Sequence, residues 1–159
     1  MSFRLVMLLP LLLIGGCGFH MQGKVQTPSA MQRTYIAAED RFSLFYRDLR
    51  AQLQAADITI VESPQDATAT LSILADETGQ RVLSVSARNV PTEYEVYYSV
   101  EYALSAGEES LLAPQFVALT RDYTYDETLV LGKIREETLL REALVRDLVR
   151  LVLKQISTL

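Results

Sequence analysis

Few side chains in this sequence are equipped for chemistry. It has one cysteine, Cys17, and one histidine, His20. A lone histidine can titrate or ligate a metal, but no second ligand lies near it, so a local contact or a solvated ring is the expectation for His20. No Ser-His-Asp set can be assembled without that single imidazole. No glycine-rich phosphate loop, HExxH helix or Cys/His metal spacing is present. Glu108-Glu109 and Glu136-Glu137 are paired acids, but adjacent carboxylates on a turn or helix usually face water, whereas glycoside hydrolysis needs two that converge on one cleft. No enzyme, metal or cofactor is expected. The basic residues are more informative. Arg81 and Arg88 bracket one apolar segment, Lys133, Arg135 and Arg141 gather near the start of the last one, and Arg146, Arg150 and Lys154 follow at four-residue steps. Such groups hold phosphates or carboxylates by charge-assisted hydrogen bonds. The late row has a simpler use, since cations near a helix C-terminus complement its dipole. Arg88 and Arg141 lack that explanation, although a surface ion pair would account for either.

The one reactive thiol sits in a telling place. Arg4 precedes an apolar run, Leu5 to Ile14, and Gly15-Gly16 lead into Cys17. A charged start, a short apolar centre and a small-residue exit make a secretory signal, and the run is too short for the ~20 apolar residues of a membrane span. Ile14-Gly15-Gly16-Cys17 resembles a lipobox, in which the thiol is alkylated by lipid and the chain is cut before it. Residues 1–16 are then removed, and Cys17 carries acyl chains. Each buried CH₂ contributes about 0.8 kcal/mol, and more than one chain makes anchoring stable. An Asp after the cysteine often retains such proteins at the inner membrane, so Gly18 favours the outer one.

Composition narrows the rest. Removing residues 1–16 takes away Arg4 and no acid, so 15 basic and 20 acidic residues become 14 and 20, a net of about −6. That balance disfavours nucleic acid, whose phosphates call for a basic surface. With Cys17 lipidated, no disulfide forms within the chain. The mature length suits one domain with a real core.

The elements that would position these groups follow from periodicity. Residues 17–32 have no clear period and read as a lipidated tether; a single domain is expected over 33–159. Thr34 to Ala38 suits a short strand. Asp40 stands where an N-cap belongs, and Phe42, Phe45, Leu49, Leu53 and Ala56 follow at helical spacing, predicting a helix over 41–56. Residues 57–61 are extended. Thr68 to Asp76 alternates, Glu77-Thr78-Gly79-Gln80 has turn chemistry, and Arg81 to Arg88 resumes as a strand before Asn89-Val90-Pro91 breaks it. Glu93 to Ser105 is the clearest strand, with Tyr94, Val96, Tyr98, Val100, Tyr102 and Leu104 on one face. Pro114 ends the next connection, and Gln115 to Tyr125 pairs back as a hairpin, with Val117, Leu119, Tyr123 and Tyr125 on one face. A final helix over 131–157 carries a stripe through Leu140, Leu144, Leu148 and Leu151, with Glu137/Arg141 and Glu142/Arg146 as stabilising i,i+4 pairs. Amphipathic helices must bury their stripes, so the predicted architecture is an α+β two-layer sandwich: two helices packed on one face of a four- to five-stranded, mostly antiparallel sheet.

Cys17-Gly18-Phe19-His20-Met21, a linker with Pro28-Ser29, the segment Arg88-Asn89 to Glu93-Tyr94, the tyrosine-rich sheet and the charged last helix together resemble the LPS-assembly lipoprotein family, LptE. Met21-Gln22-Gly23 departs from the family's commoner Leu-Arg-Gly. The resemblance implies an outer-membrane lipoprotein that plugs the large β-barrel LptD, helps it fold, and takes part in inserting lipopolysaccharide into the outer leaflet, with no bond made or broken. It implies a domain facing the periplasm and barrel lumen. By position in the family pattern, Arg88 and Arg141, then Lys133 and Arg135, are the lipopolysaccharide-binding residues. A lipoprotein adaptor for another envelope machine, such as a secretin pilot or barrel-assembly accessory, shares the anchor, size and lack of catalytic groups.

Overall fold

The computed structural model describes residues 28–159. The signal segment, Cys17, His20 and the tether up to residue 27 lie outside the described residues. The strands are β1 (Arg33–Ala37), β2 (Thr59–Val61), β3 (Ala69–Val85), β4 (Pro91–Ala106) and β5 (Glu109–Thr124), and the helices are α1 (Leu44–Ala55) and α2 (Val130–Ile156). They form one sheet in the order β2-β1-β3-β4-β5. β1 runs parallel to β2 and β3, and β3-β4-β5 is an antiparallel meander. The antiparallel ladders are far longer than the parallel ones, so the predicted sandwich holds, with a five-stranded mixed sheet.

Both helices lie on the same face. On β4, Val96, Tyr98, Val100, Tyr102 and Leu104 are buried, while the alternate residues are half-buried. From α1, the Phe45 backbone N–H donates to the Tyr98 hydroxyl at 3.3 Å; from α2, Gln155 accepts from the Tyr102 hydroxyl. Period 2 in the strand and period 3.6 in the helices meet in one core. From α2 it takes Leu144, Leu148, Val152 and Ile156, flanked by Val145, Val149 and Leu153. The other sheet face is polar and open. It carries Glu77, Arg81, Glu93, Glu95, Glu101 and Asp122, and an exposed Phe116.

The boundaries differ from the sequence reading in four instructive places. α1 starts at Leu44, and its N-cap is Ser43, whose Oγ accepts from the Tyr46 N–H at 3.0 Å and donates to Asp76 Oδ2 at 2.5 Å. Asp40 is spent two residues on, accepting from the Phe42 N–H at 2.7 Å, so Phe42 stays outside the helix and exposed. Second, residues 77–80 are no turn: β3 passes straight through them, paired with β4 throughout. Gly79 faces Tyr97, and a Cβ there would lie 2.6 Å from the Tyr97 hydroxyl oxygen; the glycine makes room for a ring, not for a reversal. Third, the β4–β5 reversal occurs at Gly107, with φ +59°, and β5 already begins at Glu109. Pro114 is tolerated inside it because β5 is an edge strand and the ladder slips there, Tyr102 facing Gln115 while Leu104 faces Leu112. Fourth, Ser29–Gln32 forms a 3₁₀ turn whose Met31 is fully buried. The buried Thr34 hydroxyl donates to the Met31 carbonyl at 2.8 Å, so the fold claims residues that the sequence pattern leaves in the tether.

Capping gives a direct check. Ser43→Ala removes both the cap acceptor and the hydroxyl that meets Asp76, and is expected to lose about 1–2 kcal/mol in urea unfolding; Asp40→Ala should lose less, and the reverse order would restore Asp40 as the cap.

Candidate functional site

The sheet is longer than one of its helices can cover. β3 has 17 residues, roughly 55 Å at about 3.3 Å each. α1 begins level with Tyr98 and Asp76, near the middle of the sheet. Beyond it, among the described residues, α2 alone covers β3-β4-β5. The direction of α2 is set by its contacts: Tyr102 meets Gln155 near its end, Arg121 pairs with Asp147 at 2.7 Å, and Tyr123 faces Glu137. The first half of α2 therefore lies over the β3–β4 end of the sheet. The chain enters the fold at the opposite end, through the 3₁₀ turn before β1.

At this far end three tyrosines converge. Tyr94 and Tyr123 stack with centroids 5.8 Å apart, and Tyr125 meets Tyr94 edge-on at 5.3 Å. The Tyr123 hydroxyl donates to Gln80 Oε1 at 2.9 Å. Burial, and then the negative charge of Glu137, push the Tyr123 phenol above its ordinary range. Between these rings and the first turns of α2 lies a cleft of about 270 Å³, also lined by Val130, Lys133, Ile134 and Glu137. The trio was readable only in part: period 2 placed Tyr94, Tyr123 and Tyr125 on core-facing sides, but not next to one another.

The predicted basic residues all belong to this end, in different states. Arg88 sits in the β3–β4 loop, which is closed by the Ser86 N–H on the Val90 carbonyl at 2.8 Å and by Asn89 at φ +59°. It is exposed and makes no hydrogen bond or ion pair with any described residue. Arg135, on the first turns of α2, is likewise exposed and unpaired among the described residues. Lys133 is largely covered, with 17% of its side chain exposed, and its ammonium lies 2.8 Å from Glu136. Arg141 forms the expected pair with Glu137 at 2.6 Å, and its Nε is buried without a partner. The expected Glu142–Arg146 pair does not form; both instead line a groove between the helices with Arg47 and Asp48. Farther along, Arg150 is tied to Asp147 at 2.8 Å. Among the described residues, no group of three or more His, Cys, Asp or Glu side chains could hold a metal ion, and no helix is long and apolar enough to cross a membrane.

The described residues thus present a polar sheet face and an end that is both basic and aromatic, and comparison with known proteins gives the class. Residues 31–156 match the family model LptE, described as lipopolysaccharide-assembly. The chain is 25% identical over 162 residues to an LPS-assembly lipoprotein LptE of Pectobacterium atrosepticum, covering 99% of this chain and 85% of that one. It is 29% identical over 148 residues to one of Yersinia enterocolitica, covering 89% and 70%. Among solved structures it resembles an uncharacterized lipoprotein B from Nitrosomonas europaea, with a TM-score of 0.73 at 26% identity, covering 88% and 90%. The chain belongs to the LptE family of LPS-assembly lipoproteins.

The buried phenols make an alkaline prediction. Burial raises Tyr102 from 10.0 to about 12, and burial together with the bond to Asp76 raises Tyr98 as well. A phenol held above its unfolded pKa contributes stability that is complete below that value and lost as pH climbs through the folded one. Stability should therefore hold up to about pH 10 and fall steeply towards pH 12. Tyrosinate absorbance should rise together with the loss of circular dichroism; full ionisation with the fold intact would contradict the burial.

Proposed function

We propose that this chain is anchored at the outer membrane by lipid on Cys17, plugs and helps assemble the β-barrel LptD, and takes part in inserting lipopolysaccharide into the outer leaflet. It binds lipopolysaccharide through the basic side chains at the far end of the fold. The observation that carries the reading is their placement. Arg88, Lys133, Arg135 and Arg141 all lie towards the β3–β4 end, away from where the tether enters. Family membership supports the role in lipopolysaccharide assembly. The open sheet face, rich in carboxylates and hydroxyls, suits contact with a water-lined barrel interior better than with lipid. The domain acts by contact alone, without a catalytic group or cofactor.

The cations contribute unequally. Arg88 and Arg135 have their donors free of described partners, so they are the readiest to engage phosphate. Lys133 gives one of its three donors to Glu136. Arg141 is already engaged by Glu137 and serves chiefly to hold that carboxylate.

Two experiments test this. Reversing charge at Arg88 and Arg135 should weaken lipopolysaccharide binding by the isolated domain at least tenfold, because a hydrogen bond to a charged group contributes about 1.5–3 kcal/mol; Arg141→Gln should weaken it less. Undiminished binding by the double variant would remove these residues from the site. Pull-down from detergent-solubilised outer membrane should yield one large barrel in near-equal amount, for the variant as for the parent. Recovery of a secretin or a barrel-assembly complex instead would make the chain an adaptor of another machine. Cys17→Ser should release the protein from the membrane fraction.

A further inference from the structure

Exposed apolar side chains gather at the end of the fold that carries the unpaired Arg88 and Arg135. Val82, Leu83 and Val85 at the end of β3, and Leu129, Val130, Leu131 and Ile134 at the start of α2, are all large hydrophobics left open to solvent, Leu131 at 85%. Val82 lies across the ladder from Tyr94, and Tyr94 across from Tyr123, so the rings and the valine form a continuous strip on the helix-facing side. The tyrosine cleft opens into this strip. Its floor is aromatic with Gln80 beside the rings, and its α2 wall carries Val130 and Ile134 together with Lys133 and Glu137. At about 270 Å³ it lies below the roughly 300–1,000 Å³ of sites that enclose a whole small molecule. It suits a slender part of a larger one.

We propose that this cleft takes one hydrocarbon chain of an anionic amphiphile, whose headgroup meets Lys133 in the cleft and the unpaired Arg88 and Arg135 at the same end of the fold. The inference rests on the reading above, in which this end of the fold meets lipopolysaccharide, and adds which part enters the cleft. Charge complementarity selects the class of occupant. On a chain with a formal net charge of −5, unpaired cations and solvent-exposed aliphatics occur together at this end. A neutral chain would gain nothing from the cations, and a bare phosphate nothing from the valines and isoleucine. Arg141 offsets Glu137 and Lys133 offsets Glu136, so the net positive charge for the headgroup comes from the unpaired Arg88 and Arg135, while Lys133 contributes hydrogen-bond donors. Two ammonium donors of Lys133 remain for phosphate oxygens.

The chain has no tryptophan, and three of its eight tyrosines line the cleft, so a bromine held there quenches a limited and saturable part of the tyrosine emission. The full mature chain carrying Cys17→Ser is titrated, below the micelle concentration, with an alkyl phosphate brominated at the end of its chain. Saturable quenching is expected. Ile134→Asp, at an exposed position that leaves the core untouched, should weaken it about tenfold or more by placing a charge against the chain. Lys133→Gln should weaken the alkyl phosphate but not the matching brominated alkyl maltoside. Inorganic phosphate and a hexose phosphate should not displace the probe. Quenching that does not saturate, or that is indifferent to Ile134→Asp, would overturn the proposal. So would displacement by the chainless hexose phosphate, which would make the cleft a sugar site. Lipopolysaccharide binding by the same Ile134→Asp protein separates the two readings. If it persists while the alkyl phosphate is lost, the basic end still binds lipopolysaccharide but not by this chain. If the unaltered protein binds alkyl phosphate and no lipopolysaccharide, the function proposed above fails and the cleft stands.

Discussion

The fold depends on how α2 is seated. Its last four turns bury Leu144, Leu148, Val152 and Ile156 against the face of β4 that carries Tyr98 and Tyr102. That contact fixes the helix axis. A helix of 27 residues is roughly 40 Å long, so anchoring its C-terminal half commits the N-terminal half to lie over the far part of the sheet, where α1 does not reach. There the packing changes character. The aliphatic stripe gives way to tyrosines, an ion-paired Arg141 and a partly covered Lys133, and a cleft is left open. The site is a by-product of a core that ends before its helix does.

The same seating explains the electrostatics. Glu137 lies between Tyr123 and Arg141, and its charge is met by the guanidinium on one side while it raises the phenol on the other. Lys133 one turn earlier is steadied by Glu136. At this end of the fold, the cations unclaimed among the described residues are Arg88 in the loop and Arg135 on the exposed side of α2. Helix geometry thus divides the basic residues into those that hold the end of the sheet together and those free for a partner.

Much of this was legible in the sequence, and the exceptions share a cause. The eleven-residue alternation in β4 and the leucine steps of α2 reported burial directly, because both faces of each element have distinct fates. Of the two local pairs read from spacing, Glu137–Arg141 forms, whereas Glu142 and Arg146 line the groove between the helices instead. What failed was punctuation. Gly79 and Pro114 are turn residues by type, yet one accommodates the ring of Tyr97 and the other sits at a slip in an edge strand. Both roles are defined by a neighbouring strand, so no local window could reveal them. Asp40 lost the cap to Ser43 because Ser43 also meets Asp76, 33 positions away. The site shows the same limit. The basic residues were visible one by one, but the tyrosine cleft exists only once three strands and a helix are in register.

The long β3–β4 hairpin, bulged between Ile73 and Ala75 and between Val82 and Val85, makes the domain a spacer of set length. One end receives the tether through Met31, buried against the core, and the other presents Arg88. The distance between them is set by strand rise and not by a hinge. Because side chains alternate, that distance changes in paired steps of two residues per strand, about 6.6 Å each, or by a bulge that absorbs an odd residue as those in β3–β4 do, if the tyrosine face is to stay under α2. Evolution can therefore retune the charges at the tip freely, but can alter its reach only in discrete increments.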